Sequence, residues 1–371
     1  MKSMAGMCHS AKPYLAVLFL QFGTAGLAII AKLALNDGMN HYSFVVYRHV
    51  VATVIISPFA FVLERKSRPR MTLPIFLKIL LLGLLEPVID QNLYYAGMKC
   101  TTATFVASLS NIVPALTFVL AWIFRLEKVN VKRVRSLAKV VGTLVTVIGA
   151  TIMTIVKGPV FRLTKESHHH NSTMSTSNQQ SPLKGALMIA GGCVCWAGFI
   201  ILQAVTLKSY PAEMSLTAMI CIAATIEGSL VALAFEWGNK SMWSLHLDSK
   251  LLAYIYSGIV CSGLAYYVQG VVMKEKGPVF VTAFSPLSMI IVAFMGSFIL
   301  AEQLSMGRII GAVVIVVGLY AVVWGKSKDI NMSELEMTNE QIRPDGSPSA
   351  TESTISDPSI NPMISNNNEL V

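Results

Sequence analysis

Two acids, Glu86 and Asp90, stand in "GLLEPVIDQNLYYAGM" (residues 83–98), inside one of the most apolar stretches of the chain. Their spacing of four places both carboxylates on one face of a helix, and Tyr94 continues the stripe. A charge at the centre of a membrane span costs about 2.5–3.5 kcal/mol on insertion scales, so retaining two implies a partner or a wet site. Arg48 and Lys32 are the candidate cations. Two chemistries fit: an interhelical ion pair that fixes packing, or a path for a substrate or a proton. Pro87 follows Glu86 and predicts a kink that frees backbone groups there.

Other polar residues recur at similar depth: Gln91 and Asn92 beside the acids, Asn111 and Pro114, Tyr267 and Gln269, then Ser285 and Pro286, with Gln21 and Trp196 as possible additions. They predict a polar wall from the third, fourth, eighth and ninth spans, although Asn and Gln also serve as interhelical glue. Glu127 and Glu302 fall just past the ends of the fourth and ninth spans, where a structural ion pair competes with a transport role. Glu227 is a lone acid in the seventh span.

The elements that must position these groups follow from composition. Hydrophobic residues make up 54% of the 371, charged residues 13%, and mean hydropathy is +0.60. Soluble domains carry about twice that charge, so an all-α polytopic membrane protein is expected. Apolar runs of bilayer length predict ten spans, near 13–34, 42–63, 74–97, 101–124, 135–156, 184–206, 213–235, 250–273, 278–300 and 307–325. The first is too long for a signal-peptide core and lacks a small-residue cleavage site.

Lys and Arg set the orientation. The 64–73 and 125–135 loops carry Arg65, Lys66, Arg68, Arg70, Arg125, Lys128, Lys132, Arg133 and Arg135, which predicts them cytosolic together with both termini. The net charge of +9 is then mostly a topology signal, and nucleic-acid binding is not expected. The 157–183 loop falls outside, with His168-His169-His170, read as solvated rather than metal-binding, and a glycosylation sequon at Asn171. A second sequon, Asn239, also falls outside, and a third, Asn331, inside. The tail from 326 to 371 is rich in Ser, Thr, Asn and Pro and predicts disorder. Six cysteines at these spacings predict neither a disulfide framework nor a metal site. No phosphate-binding glycine loop, nucleotide motif or His-Glu metal motif is present, so neither enzyme chemistry nor a cofactor is expected.

Shifted by 175 residues, 83–129 matches 258–304 without a gap: Gly83 on Gly258, Lys99 on Lys274, Ser110 on Ser285, Glu127 on Glu302. Ala25-Gly26 can also be laid on Ala197-Gly198, outside that gapless register. The chain therefore reads as a segment 1–12, a five-span repeat at 13–156, the loop, a second repeat at 184–325, and the tail. Five crossings invert the second copy, an arrangement typical of secondary transporters with a substrate site between repeats. Glu86 and Asp90 align with Cys261 and Ala265, an asymmetry that points to a job with a substrate or ion.

Three blocks, "VVYRHVVATVIISPFAF", "DQNLYYAGMKCTTATFVASLSNIVPALTFVLAWIFRLEKV" and "KGPVFVTAFSPLSMIIVAFMGSFILAEQL", resemble the plant EamA-like, nodulin-like transporters of the drug/metabolite transporter superfamily. That group includes Walls-Are-Thin-related proteins and UmamiT amino-acid exporters. The resemblance covers about residues 13–326 and implies ten helices in two inverted repeats, moving amino acids or auxin across the plasma membrane or tonoplast. Family positions fall on Tyr47-Arg48, on Gln91, Asn92 and Tyr95, on Asn111, Pro114 and Ala115, on Arg125 and Glu127, and on Gly277 to Phe280. Glu86-Pro87 looks like the amino-acid-exporter side. The expectation is a plasma-membrane transporter of amino acids working by alternating access. Its expected substrate residues are Arg48, Glu86, Asp90, Gln91, Asn92, Tyr94, Asn111, Gln269 and Ser285. Pro87, Pro114, Pro286, Glu127 and Glu302 are expected in gating or structure. The rivals are a vacuolar carrier of auxin or another aromatic acid, and a receptor or scaffold signalling through the tail.

Overall fold

The computed structural model describes residues 4–36, 38–100, 109–127, 134–156, 160–161, 182–238, 243, 249–299 and 304–342. Two compact units divide the chain, Met1–Lys328 and Asp329–Val371. The first holds the helices considered below, the last of them as far as Lys328. Of the second, only helical residues up to 342 are described.

With no water in a bilayer core, every backbone group must be satisfied within its own segment, and apolar runs of this length become helices. The helices are α1 (Met4–Asn36), α2 (His41–Leu63), α3 (Leu73–Gly83), α4 (Gln91–Cys100), α5 (Val113–Ile123), α6 (Val134–Ile155), α7 (Pro182–Ser209), α8 (Glu213–Phe235), α9 (Ser249–Tyr256), α10 (Ala265–Lys276), α11 (Pro278–Ala283), α12 (Ser285–Ile299) and α13 (Met306–Ile342). A two-residue antiparallel contact, β1 (Val160–Phe161) on β2 (Leu304–Ser305), is the strand content of the described residues. Among the described residues, six stretches are long and apolar enough to cross a membrane, with three shorter apolar helices besides. Large apolar side chains stay outside, among them Leu63 at 66% and Phe235 at 72% exposure, as lipid contact requires.

Several boundaries differ from expectation. The first helix starts at Met4. The fourth span is interrupted at Asn111-Ile112 and the ninth at Phe284. Each time the helix restarts with a proline as its second residue, Pro114 and Pro286, a position where the missing N–H costs nothing. The last helix continues to Ile342, past residue 326 where the disordered tail was expected to begin.

The third and eighth spans share a device the sequence reading did not foresee. α3 joins α4 through a π-helical segment, Leu84–Asp90, and α9 joins α10 through another, Ser257–Leu264. Shifted by 175 residues the two segments overlap. Pro87 cannot donate the α-helical bond, and a widened turn accommodates the missing donor.

α2 and α8 run antiparallel, pinned at both ends. Glu64 accepts from the backbone N–H of Met214 at 3.0 Å and of Ser215 at 2.6 Å, satisfying donors at the start of α8. At the other end Asn40, which caps α2 by accepting from Tyr42 N–H, donates to Glu236 at 3.1 Å. Glu64 and Glu236 follow the last residues of their helices, so each half lends one acid to the helix start of the other. A glycine just before the first π turn and one inside the second repeat this exchange. A Cβ on Gly83 would lie 2.9 Å from Ala223 of α8, and one on Gly258 would lie 2.6 Å from the Arg48 carbonyl oxygen of α2. Both turns therefore press directly onto the second helix of the opposite half. Ile79, Leu82, Phe199, Ile220, Tyr266 and Phe280 fill the core around them.

Candidate functional site

Arg48 of α2 is 2% exposed and Glu86 of the first π turn 1%. Two such charges need partners in a dry interior. Arg48 Nε donates to Ser262 Oγ at 2.8 Å, in the second π turn. Its Nη1 donates to Gln91 Oε1 at 3.2 Å. Gln91 Nε2 donates to Glu86 Oε1 at 3.0 Å, and the Tyr266 hydroxyl donates to Glu86 Oε2. Among the described residues no N–O approach within 4.0 Å joins Arg48 to Glu86 or Asp90. The direct ion pair weighed from sequence is replaced by a bridge through the Gln91 amide.

The π geometry explains this partnership. Its backbone bonds run i to i+5, and the Gln91 N–H reaches the Glu86 carbonyl. Residue 91 therefore stands over residue 86. The expected stripe of Glu86 with Asp90 assumed an α-helical turn, and in the structure Gln91 takes the place beside Glu86.

Asp90 faces α7, where a Cβ on Gly192 would meet its Oδ1 at 2.8 Å. It is only partly buried, and its side chain makes no hydrogen bond among the described residues. It remains within electrostatic reach of Glu86 and Arg48. Asn92 donates to the Val88 carbonyl at 2.6 Å and leaves its buried Oδ1 without a partner. Tyr94 stands edge-on to Tyr95 at 5.6 Å and packs against Val113, Ile189 and Cys193.

Beyond this centre the predicted residues separate. Gln269 is buried and donates to Gln203 Oε1 of α7 at 2.7 Å, while Gln203 Nε2 donates to the Tyr266 carbonyl at 3.2 Å. It thus supports the tyrosine that holds Glu86. Asn111 is buried at the interruption of the fourth span. Ser285 begins α12 and accepts a Ser288 hydroxyl bond through its carbonyl, and none of the bonds around Arg48 reaches it. Pro87 lies within the π turn. Glu127 pairs with Lys139 of α6 at 2.7 Å, both almost fully buried. Gln21 is buried and Trp196 stacks on Phe199. Glu302, Asn171 and the Lys32 side chain lie outside the described residues.

Sequence reasoning missed Ser262, Tyr266, Gln203, Lys139 and His49. His49 Nδ1 donates to the Val45 carbonyl at 2.7 Å, its Nε2 lies 3.5 Å from Ser262 Oγ, and its ring stacks on Tyr266. One signal was available: the 175-residue shift lays Tyr266 on Gln91, and these two residues hold the two oxygens of Glu86. Tyr267, chosen from sequence, is its neighbour on the same helix.

Such a centre sets a buried cation and a buried acid apart by one amide, with a second, unbonded acid alongside. It can offer complementary charges to a small dipolar solute.

The sequence matches the EamA-like transporter family over residues 11–155 and again over 183–324. Two WAT1-related proteins of Arabidopsis thaliana are similar to it. One is 60% identical over 333 residues, covering 89% of each chain. The other is 58% identical over 339 residues, covering 91% of this chain and 89% of the relative. A solved crystal structure superposes with a TM-score of 0.65 at 14% identity, over 86% of this chain and 98% of that one, and so shares the fold.

Proposed function

Because this chain belongs to the EamA-like transporter family, we propose that it moves α-amino acids between the two faces of a membrane by alternating access. The observation that carries this reading is the separated pair Arg48 and Glu86, bridged by Gln91, with Asp90 unbonded beside them. A zwitterion needs both signs within a few ångströms. Arg48 would take its carboxylate. An ammonium has three donors, and Glu86 and Asp90 would share them. Asn92, with its unpartnered oxygen, and Tyr94 would line the side-chain end.

The moving parts in this reading are two inverted five-helix repeats making ten crossings. The antiparallel α2–α8 pair, with a glutamate from each helix bonded at the start of the other, supports it, as do the matching π turns. Gly83 and Gly258 would be the contacts on which one repeat rocks against the other. The plasma membrane, with both termini cytosolic, is the proposed location, from the Lys and Arg bias of the loops. Auxin or another organic acid is disfavoured, because Arg48 would bind its carboxylate next to two acids. A receptor acting through residues beyond Lys328 should lose its output, and no flux, when those residues are deleted.

The test is uptake and efflux of a mixed labelled amino-acid pool in oocytes, with labelled indole-acetate in parallel. Amino-acid flux is expected. Asp90→Asn should cut it at least tenfold at equal surface expression, since no internal bond depends on Asp90. Indole-acetate flux alone, or unchanged amino-acid flux in Asp90→Asn, would refute the reading.

A further inference from the structure

Gln91 presents an acceptor to Arg48 and a donor to Glu86 from one planar amide, at 3.2 and 3.0 Å. An α-amino acid presents the same two ends, a carboxylate and an ammonium, in charged form. Gln91 is also the partly exposed member of the trio, whereas Arg48 and Glu86 are almost fully buried. Its hold is weak for the site it fills. A substrate carboxylate and ammonium would add full opposite charges to the two contacts that a neutral amide lacks, and a carboxylate can take a guanidinium bidentately where an amide oxygen takes one prong. Among the described residues the Nη2 of Arg48 makes no hydrogen bond, so that second prong is available.

We infer that Gln91 is an internal stand-in for the backbone of an α-amino acid: its amide occupies the two-point site between Arg48 and Glu86, and a zwitterion binds by displacing it. This deepens the proposed function and rests on its amino-acid reading. The π turn is what makes the device, since it sets an amide, rather than Asp90, over Glu86. Tyr266 stays on the far oxygen of Glu86 and keeps the acid aimed while the amide leaves. The stand-in also gives selectivity. A solute with a single charge releases one end of the amide and leaves the other end engaged, whereas a zwitterion replaces both.

The experiment uses the purified full-length protein and three probes: L-alanine, which carries only the common backbone, and its one-ended analogues ethylamine and propanoate. Apparent Kd comes from ligand-dependent thermal shifts. Gln91→Ala should bind alanine about tenfold more tightly than wild type, equivalent to about 1.4 kcal/mol. The gain for ethylamine and propanoate should stay below about threefold, because each displaces one contact. Gln91→Glu, with a carboxylate of its own for Arg48, should bind alanine more weakly than wild type. Gln91→Asn, too short to span both partners, serves if Gln91→Ala does not fold. Equal or weaker alanine binding in a folded Gln91→Ala or Gln91→Asn overturns the inference. Flux separates the two readings. Amino-acid transport by wild type without tighter binding in these variants removes the stand-in alone. Tighter binding in a protein that carries no amino acid removes the transport reading alone.

Discussion

Glu86 and Arg48 neutralise one another through Gln91 in a space from which both are almost wholly withdrawn. Glu86→Leu would leave the buried guanidinium with Asp90 as its remaining counter-charge and strip the acceptors of Tyr266 and Gln91. Breaking a buried pair by removing one partner costs about 3–5 kcal/mol, and an orphaned buried donor adds about 1–3 kcal/mol. Arg48→Met should cost a similar amount, since it leaves the acid uncompensated and frees Ser262. Replacing both partners with apolar residues removes both charges at once, so the double variant should recover most of the loss. The assay is unfolding of purified protein in mixed detergent micelles of rising denaturing-detergent fraction, run as a double-mutant cycle. A coupling energy of about 2 kcal/mol or more is expected from the shared network. Additive single effects, or single variants as stable as wild type, would refute the view that the two charges depend on each other. Neither single variant nor the double should transport, whatever its stability, because the site has lost a sign.

The close approach at Gly258 sets a second expectation: Gly258→Ala places a Cβ 2.6 Å from the Arg48 carbonyl, and backbone cannot yield as a side chain does, so monodisperse protein on size exclusion should fall and stability drop by about 1–3 kcal/mol. Lys139→Met removes the buried cation that pairs with Glu127 at 2.7 Å and should lose about 3–5 kcal/mol in the same micelle assay, with much of it regained in the Lys139→Met, Glu127→Leu pair.

Sequence alone determined a great deal here, because lipid imposes simple rules. Apolar runs of bilayer length must become helices, and this located the elements whose ends α2 and α8 display. The 175-residue shift paired Gly83 with Gly258 without any coordinates. The cost of burying charge singled out Arg48, Glu86 and Asp90, and the asymmetry of Glu86 and Asp90 against Cys261 and Ala265 raised the expectation of a role with a substrate or ion. Glu127 was read with ion pairing in view, and Lys139 supplies the partner. What the sequence could not settle was who meets whom. Counting by four assumed an α-helical turn and matched Glu86 with Asp90, whereas the π turn runs by five and matched it with Gln91. Nothing local distinguishes Tyr266 from Tyr267, or marks Ser262, since their roles exist only once the second π turn is pressed onto α2. Gln269 and Ser285 share the depth of the centre but point their bonds elsewhere, because depth along a span says nothing about rotation around it. Helix identity is a property of a segment and its solvent. The constellation belongs to the packing of two halves, and there the register of a single widened turn decides which side chain faces the charge.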